Sequence, residues 1–430
     1  MDPEQDAASA SGDGRKGRPS VALVLSGGGA RGAYEVGVLR YVRERLGVDT
    51  RFDIITGTSV GAINGAYIAA TVDRPKAQAR ALQRMWTELT IDRVYDFGWR
   101  QLRKIPQVLF GKRLPKTPHG GRVGGLVDST ALEQLVREQV PWRQLTENLA
   151  RGHLDAFSVT ATEVATGLST VFVQTRDHRT PLWTEGPNET VVRTGITAAH
   201  TMASAAIPVL FPAVKVGDQF FVDGALRQNT PLRPALRLGA RRLLIIGLRH
   251  GESPVERRAR QRAEAEALYP NAFFLLGKLL NSLMLDKVQA DLARIEQTNR
   301  MLRAGREAVG PEFASRLSAA MGRRAPWHEV ETLMIQPSED LGRIAWEVVH
   351  GTGLRGYDGV VPNIIRRSVE ADERSSQGES DLASYILFDP EFVRRLIELG
   401  YADAARHHEQ LLHLFRSEED DGAHASSTGS

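Results

Sequence analysis

Apolar positions along the chain fall into two periods, one short and continuous, one helical. "VALVLS" (Val21–Ser26) and "FDIITG" (Phe52–Gly57) are brief runs of β-branched and leucyl residues with the length of buried strands. Each is followed by glycines and then by a helical pattern. Val36, Val38, Leu39, Val42 and Leu46 mostly recur at three or four, which predicts a helix from about Ala33 to Leu46. "GTSVGAINGAYIAA" predicts a small-residue helix of the kind that packs close to a sheet. Strand, helix, strand, helix at this spacing predicts a parallel sheet with both faces covered.

A helix is predicted around Arg74–Leu89, and Asp128 or Ser129 starts another apolar-periodic run. "FSVTATEVATGLSTVFVQ" predicts two strands joined at Thr166-Gly167, and "AVKVGDQFFVDG" a hairpin with its tip at Gly217-Asp218. Thr230 reads as a helix cap with Pro231 at the first helical position, and "RRLLIIGL" as a further buried strand. Beyond Arg249 the composition shifts. Residues 254–322 are charged and helix-rich, with Val288, Leu292, Ile295 and Leu302 on one stripe. "ETLMIQP" predicts a strand returning to the sheet, Val369–Asp381 reads as a polar linker, and Ala383–Phe415 as a terminal helical hairpin. The expected organisation is a disordered tail over 1–19, a main domain over 20–250, a helix-rich extension over 251–415 packed on it, and a second disordered tail over 416–430. No internal repeat is present.

Composition narrows the chemistry. With 42% hydrophobic and 25% charged residues among 430, the chain has ordinary globular values and ample length for a large core. It has no cysteine, which excludes disulfides, thiolate catalysis and cysteine-ligated metals and fits a cytoplasmic home. No apolar h-region marks a signal peptide, and no run approaches the ~20 apolar residues of a spanning helix. The expectation is a cytoplasmic protein, with peripheral contact at a membrane surface left open. Net charge is only +3, but Arg93–Arg122 holds eight Lys/Arg against the single acid Asp96. That stretch reads as a solvated basic loop, with anionic head groups as the alternative it could face.

Two glycine motifs follow the first two strands. Gly57-Thr58-Ser59-Val60-Gly61 is G-x-S-x-G between a predicted strand and a predicted helix, the context of a nucleophile elbow. Such a turn exposes the serine hydroxyl above the sheet edge, and the helix beginning there aims N–H groups at it. Gly27, Gly29 and Gly32 fit the dinucleotide pattern G-x-G-x-x-G, with Asp49 or Asp53 about 20 residues on as a ribose-binding acid. That acid should end the second strand, however, and Asp53 begins it. Beside an acyl-transfer serine, the Gly27-Gly28-Gly29 amides read better as a nest for a transient oxyanion. Arg31, a cation in the first helical turn, has the wrong sign for the helix dipole and reads either as a solvated arginine or as one compensated by a buried carboxylate, a lipid phosphate or its own hydrogen bonds to the glycine loop.

The serine needs a proton acceptor. Among His153, His178, His200 and His250, His200 in "AAHTMASAAIP" is the best placed, yet it reads as a surface or packing histidine of a helix. The other candidate is Asp223 in "FFVDGALRQNTP", directly after an apolar strand and before Gly224. A carboxylate there becomes an effective base only if it touches the serine hydroxyl and is partly desolvated.

"GGGARG" (Gly27–Gly32), "GTSVG" (Gly57–Gly61) and "DGA" (Asp223–Ala225), in this order and spacing, resemble the three motifs of the patatin-like phospholipases. The resemblance covers roughly residues 20–250, and later segments resemble an extended bacterial branch. It implies a three-layer α/β/α sandwich with a mostly parallel central sheet, here carrying a C-terminal helical extension. It implies a Ser-Asp dyad without histidine: Ser59 as nucleophile, Asp223 as base, the Gly27, Gly28 and Gly29 amides as oxyanion hole, Arg31 as its support, and Gly57 and Gly61 as the elbow's flanks. The implied activity is hydrolysis of acyl esters in phospholipids or lysophospholipids through an acyl-enzyme, with no metal and no cofactor. The substrate would be the partner, with no nucleic acid; the oligomeric state is open. Ser26 stands where many members have an acid, and Ala225 where many have glycine. A lipid-binding or scaffold protein without activity on the same fold is the alternative. "IPQVLFG" (Ile105–Gly111) and "FFLLGKLLNSLML" (Phe273–Leu285) are candidates to line or cover an acyl trench, and the latter could also be a lid, a bilayer contact or plain core.

Overall fold

The computed structural model describes residues 20–47, 50–95, 129–176, 186, 188–208, 210–251, 258, 288–322, 326–374 and 380–416. The expected tails (Arg416 apart), Asp49, Asp128, His178, most of the basic stretch, Ile105–Gly111 and Phe273–Leu285 lie outside the described residues.

The centre is one sheet. Its strands are β1 (Val21–Leu25), β2 (Ile54–Thr58), β3 (Ala156–Glu163), β4 (Ser169–Thr175), β5 (Glu189–Arg193), β6 (Val214–Val216), β7 (Gln219–Asp223), β8 (Arg242–Ile246) and β9 (Glu331–Ile335). The order is β5-β4-β3-β2-β1-β8-β9, and the β6–β7 hairpin attaches through β7 to β3. From β3 to β9 along this order the strands are parallel, while β4 runs antiparallel to β3. β1 is buried throughout, as a central parallel strand must be. Ala22 and Val24 join the apolar layer under the helix Leu232–Arg237, whereas Val21, Leu23 and Leu25 join the larger layer of α1 (Ala33–Arg45) and α2 (Val60–Ala70). Helices on both faces make this the three-layer α/β/α sandwich.

The strand expected in "ETLMIQP" is β9, paired in register with β8, so the chain beyond residue 250 adds to the central sheet itself. The two predicted hairpins form with positive φ at Gly167 (67°) and Gly217 (60°). Three expectations need correction. The helix after Thr230 starts one residue later, with Pro231 as its cap position, and the Thr230 hydroxyl is hydrogen-bonded to Ser26 Oγ at 2.7 Å instead of capping it. The polar segment from Val369 is not a linker at its start: the helix Val360–Arg374 runs through it, with Val369 buried. The terminal hairpin is three helices, Asp381–Ile386, Pro390–Arg406 and His408–Phe415, since Asp389 caps a new start at Pro390. The stripe on Val288–Val309 does bury Val288, Ile295 and Leu302.

Strand register brings the two decisive motifs together. Along one edge of β3, β2 pairs from Ala156 up to Thr160, where its last residue is Thr58. β3 continues for three residues, and β7 descends along them from Phe221 opposite Glu163 to Asp223 opposite Ala161. The end of β2 and the end of β7 therefore meet head to head, which puts Ser59 beside Asp223 although 164 positions separate them.

Candidate active site

Ser59 sits at φ 54° and ψ −126°, a strained conformation for a residue with a side chain. Only close packing holds it there. A Cβ on Gly57 would collide with Gly61 O, and one on Gly61 would lie 2.6 Å from Leu25 O. The turn is thus wedged between its own helix and β1. The Ser59 amide donates to Ser204 Oγ at 2.8 Å, and Ser204 Oγ donates in turn to Thr160 O at 2.5 Å. Sequence reasoning missed Ser204; its one signal is its place in the "MASAAIP" block, where a buried serine at a helix end needs a partner.

Ser59 Oγ donates to Asp223 Oδ2 at 2.7 Å. The other carboxylate oxygen, Oδ1, accepts from Ala225 N at 2.8 Å, and the Asp223 carbonyl accepts from Thr162 Oγ1 at 3.0 Å. Asp223 is fully buried. Burial raises its pKa to about 7, against the lowering effect of the Ser59 and Ala225 hydrogen bonds.

The glycine loop follows β1, the neighbour of β2. Gly29 has φ 58°, and a Cβ there would strike the carbonyl oxygen of Tyr385, so both conformation and space require glycine. Gly27 is not free in the way expected: its amide donates to Asn229 O at 3.1 Å. Among the described residues the amides of Gly28 and Gly29 meet no backbone acceptor, and Gly29 lines the pocket with Ser59. Ser26, in the place of an acid, closes the loop's base by donating to Ile246 O at 2.8 Å.

Arg31 directs its donors to the C-terminal part of the chain. Its guanidinium is buried against the helix Asp381–Ile386. It bonds Ser384 Oγ at 2.8 Å through Nε, Tyr385 Oη at 3.2 Å through Nη1 and Asp381 Oδ1 at 3.3 Å through Nη2, and its centre lies 4.0 Å above the Tyr385 ring. Burial works against the charge, but Tyr385 and Asp381 overcome it, and its pKa is raised. The compensating group is therefore Asp381, a residue assigned to the linker.

The rival acids and bases have other tasks. Asp53 accepts from Val21 N at 2.9 Å and pairs with Arg51 at 3.3 Å, at the end of β1 and β2 opposite Ser59. His200 is buried, its pKa lowered to about 4 by burial; Nδ1 caps its own helix with Thr197, and its ring packs on Phe172 at 4.7 Å. Among the described residues no histidine hydrogen-bonds Ser59 or Asp223.

Ser59 opens on a pocket whose other walls are apolar, built from α3 (Pro75–Thr87), the helix Thr130–Gln139, Ala205, Ile207 and Phe211, and the C-terminal Tyr385 and Phe388. The two trench candidates proposed from the sequence lie outside the described residues; Trp86, Phe211 and Phe388 were not foreseen.

A strained serine bonded to a buried carboxylate, beside a glycine turn and an apolar pocket, is the arrangement of serine acyl hydrolases. A family model for patatin-like phospholipases matches residues 23–236, and over these residues the chain belongs to the patatin-like phospholipase family. It is similar to an uncharacterized NTE family protein of Mycobacterium tuberculosis, 31% identical over 212 residues, or 49% of this chain and 27% of the relative. It is also similar to the mouse patatin-like phospholipase domain-containing protein 7, 48% identical over 69 residues, or 16% of this chain and 5% of that one. The chain thus spans only a small part of these relatives. Human GIVD cytosolic phospholipase A2, solved with methyl γ-linolenyl fluorophosphonate, aligns over 93% of this chain and 58% of its own at 13% identity and TM-score 0.39.

Proposed function

We propose that this protein is a serine acyl-ester hydrolase acting on phospholipids or lysophospholipids through Ser59 and Asp223. The observation that carries the reading is the 2.7 Å hydrogen bond between Ser59 Oγ and a carboxylate that burial has made basic. Ser59 Oγ attacks the ester carbonyl carbon while its proton passes to Asp223 Oδ2. The carbonyl oxygen becomes an oxyanion beside the amides of Gly28 and Gly29. The C–O bond then breaks, and the departing alcohol takes the proton from Asp223. The acyl group stays on Ser59. Asp223 next accepts a proton from water, whose oxygen attacks the acyl carbon; the second oxyanion collapses, the fatty acid leaves, and Ser59 recovers its proton.

The base works without a third group because its pKa of about 7 lies at neutral pH, where proton acceptance and correct ionisation coincide. The Ala225 amide fixes the carboxylate orientation, the task that a second acid performs for a catalytic histidine. Apolar walls suit an acyl chain and leave a charged head group outside. Family membership supports the lipid substrate class.

The test is fatty acid release from vesicles of diacylphosphatidylcholine and from lysophosphatidylcholine micelles, for wild type and Ser59→Ala. Release by wild type alone supports the reading. No release from either lipid by folded wild type, or equal release by Ser59→Ala, rejects it in favour of a lipid-binding role without turnover.

A further inference from the structure

Three features converge on the segment Ser380–Asp389, which lies far outside the residues the family model matches. First, Tyr385 and Phe388 line the pocket that Ser59 opens on. Second, the Tyr385 carbonyl packs so closely on Gly29 that no Cβ fits between them. Third, the segment is fixed at both ends. Arg31 holds Ser384, Tyr385 and Asp381, and Asp389 Oδ1 accepts from Glu391 N at 2.9 Å and from Phe392 N at 3.3 Å. Between these anchors the Phe388 ring stacks on Trp86 at 6.0 Å and meets Tyr95 edge-on at 5.8 Å; Tyr95 continues onto Phe211 at 6.1 Å. Trp86, Tyr95 and Phe211 all line the same pocket.

Trp86 is itself fixed by a polar network. Its Nε1 donates to Asn64 Oδ1 at 2.9 Å, and Asn64 Nδ2 donates to the buried Glu35 at 2.7 Å. The aromatic wall is therefore rigid on both sides of Phe388, and a rigid wall sets the length and shape of what it admits. A mobile side chain would adapt instead.

We infer that the C-terminal segment is a working wall of the active site and that Phe388 determines which acyl chains it accepts. The inference rests on the hydrolase reading above and names the residue that sets its specificity. Removing the ring opens apolar space where a chain can add methylenes. Enlarging it closes that space. One methylene more or less in an apolar pocket is worth on the order of tenfold in discrimination.

The experiment measures kcat and KM on p-nitrophenyl esters from butyrate to palmitate for wild type, Phe388→Leu, Phe388→Ala and Phe388→Trp. Fluorophosphonate labelling of Ser59 reports active protein in each sample. The expected result is a palmitate-to-butyrate ratio of kcat/KM raised about tenfold or more by Phe388→Leu, further by Phe388→Ala, and lowered by Phe388→Trp. The change should fall mainly on KM, because the ring touches the chain and not the reacting carbonyl. Phe388→Leu keeps an apolar side chain in the wall and serves if Phe388→Ala does not fold. Ratios identical to wild type in labelled Phe388→Leu and Phe388→Trp overturn the inference and leave the hydrolase reading standing. No hydrolysis and no labelling by folded wild type overturn both.

Discussion

Two strand-glycine-helix turns stand side by side at the ends of β1 and β2, and they are opposite solutions to one problem. The β2 turn presents a side chain: Ser59 at φ 54° with its hydroxyl on Asp223. The β1 turn presents backbone: Gly28 and Gly29, with no side chain to offer. Their supports differ as well. The β2 turn is wedged by its own helix and by Leu25 and Ser26 of the neighbouring strand and loop, all within the family-matched residues. The β1 turn is pressed from behind by Tyr385, more than 350 positions along the chain. The strained serine turn is held from within the family-matched residues, whereas the glycine loop is braced by a part of the chain outside them. The two turns should therefore respond differently to the same kinds of substitution.

The sharpest contrast is between chemistry and frame. Ser59→Ala and Asp223→Asn should each lower turnover by about four orders of magnitude or more, with the fold intact by circular dichroism. Gly61→Ala, whose Cβ would face Leu25 O at 2.6 Å, should cost several kcal/mol and give little folded protein. Gly29→Ala, with its Cβ on Tyr385 O and φ at 58°, should be at least as costly to the fold. It should lose roughly a hundredfold in kcat because the amides move, without a matching change in KM. A wild-type kcat in the folded fraction of Gly29→Ala would erase the distinction between the turns.

Smaller effects sharpen it. Ser384→Ala removes one partner of the buried Arg31 and should cost about 1–3 kcal/mol in urea denaturation. Its effect on kcat should be larger than that of any equally destabilising change behind the β2 turn. The pH dependence runs in two directions. Asp223 must be ionised to act, so kcat/KM should rise as pH increases through about 7. The same raised pKa means that stability is full below the unfolded carboxyl value of 3.8 and is lost as pH climbs through about 7. Asp223→Asn should abolish that stability slope, measured as melting temperature between acid and mildly alkaline buffers. His200→Ala should keep turnover within about twofold and cost roughly 1 kcal/mol, as expected for a lost helix cap.

Much of this arrangement is legible in the sequence, and the reasons differ by element. β1, β2 and β8 are readable because central parallel strands are short, continuous apolar runs. The elbow is readable because G-x-S-x-G fell between a strand and a helix. Asp223 is readable as a strand-end acid, but its contact with Ser59 depends on β7 taking over the β3 edge where β2 leaves it. No local pattern encodes that register. The engagement of the Gly27 amide was not legible for a similar reason: its acceptor is Asn229 O, a partner that only the fold supplies. Asp381 was hidden because a polar run ahead of a short helix reads as a connection, and Phe388 because it lay inside a segment that reads as a helical hairpin. Their meaning comes from Arg31 and Trp86, both distant in the chain.

Peptide mapping by mass spectrometry after fluorophosphonate treatment bears most directly on the pairing of Ser59 with Asp223. The account predicts a single adduct on Ser59 in wild type and in His200→Ala, formed at similar rates, and almost none in folded Asp223→Asn. An adduct forming in Asp223→Asn at the wild-type rate, or its loss in folded His200→Ala, would contradict it.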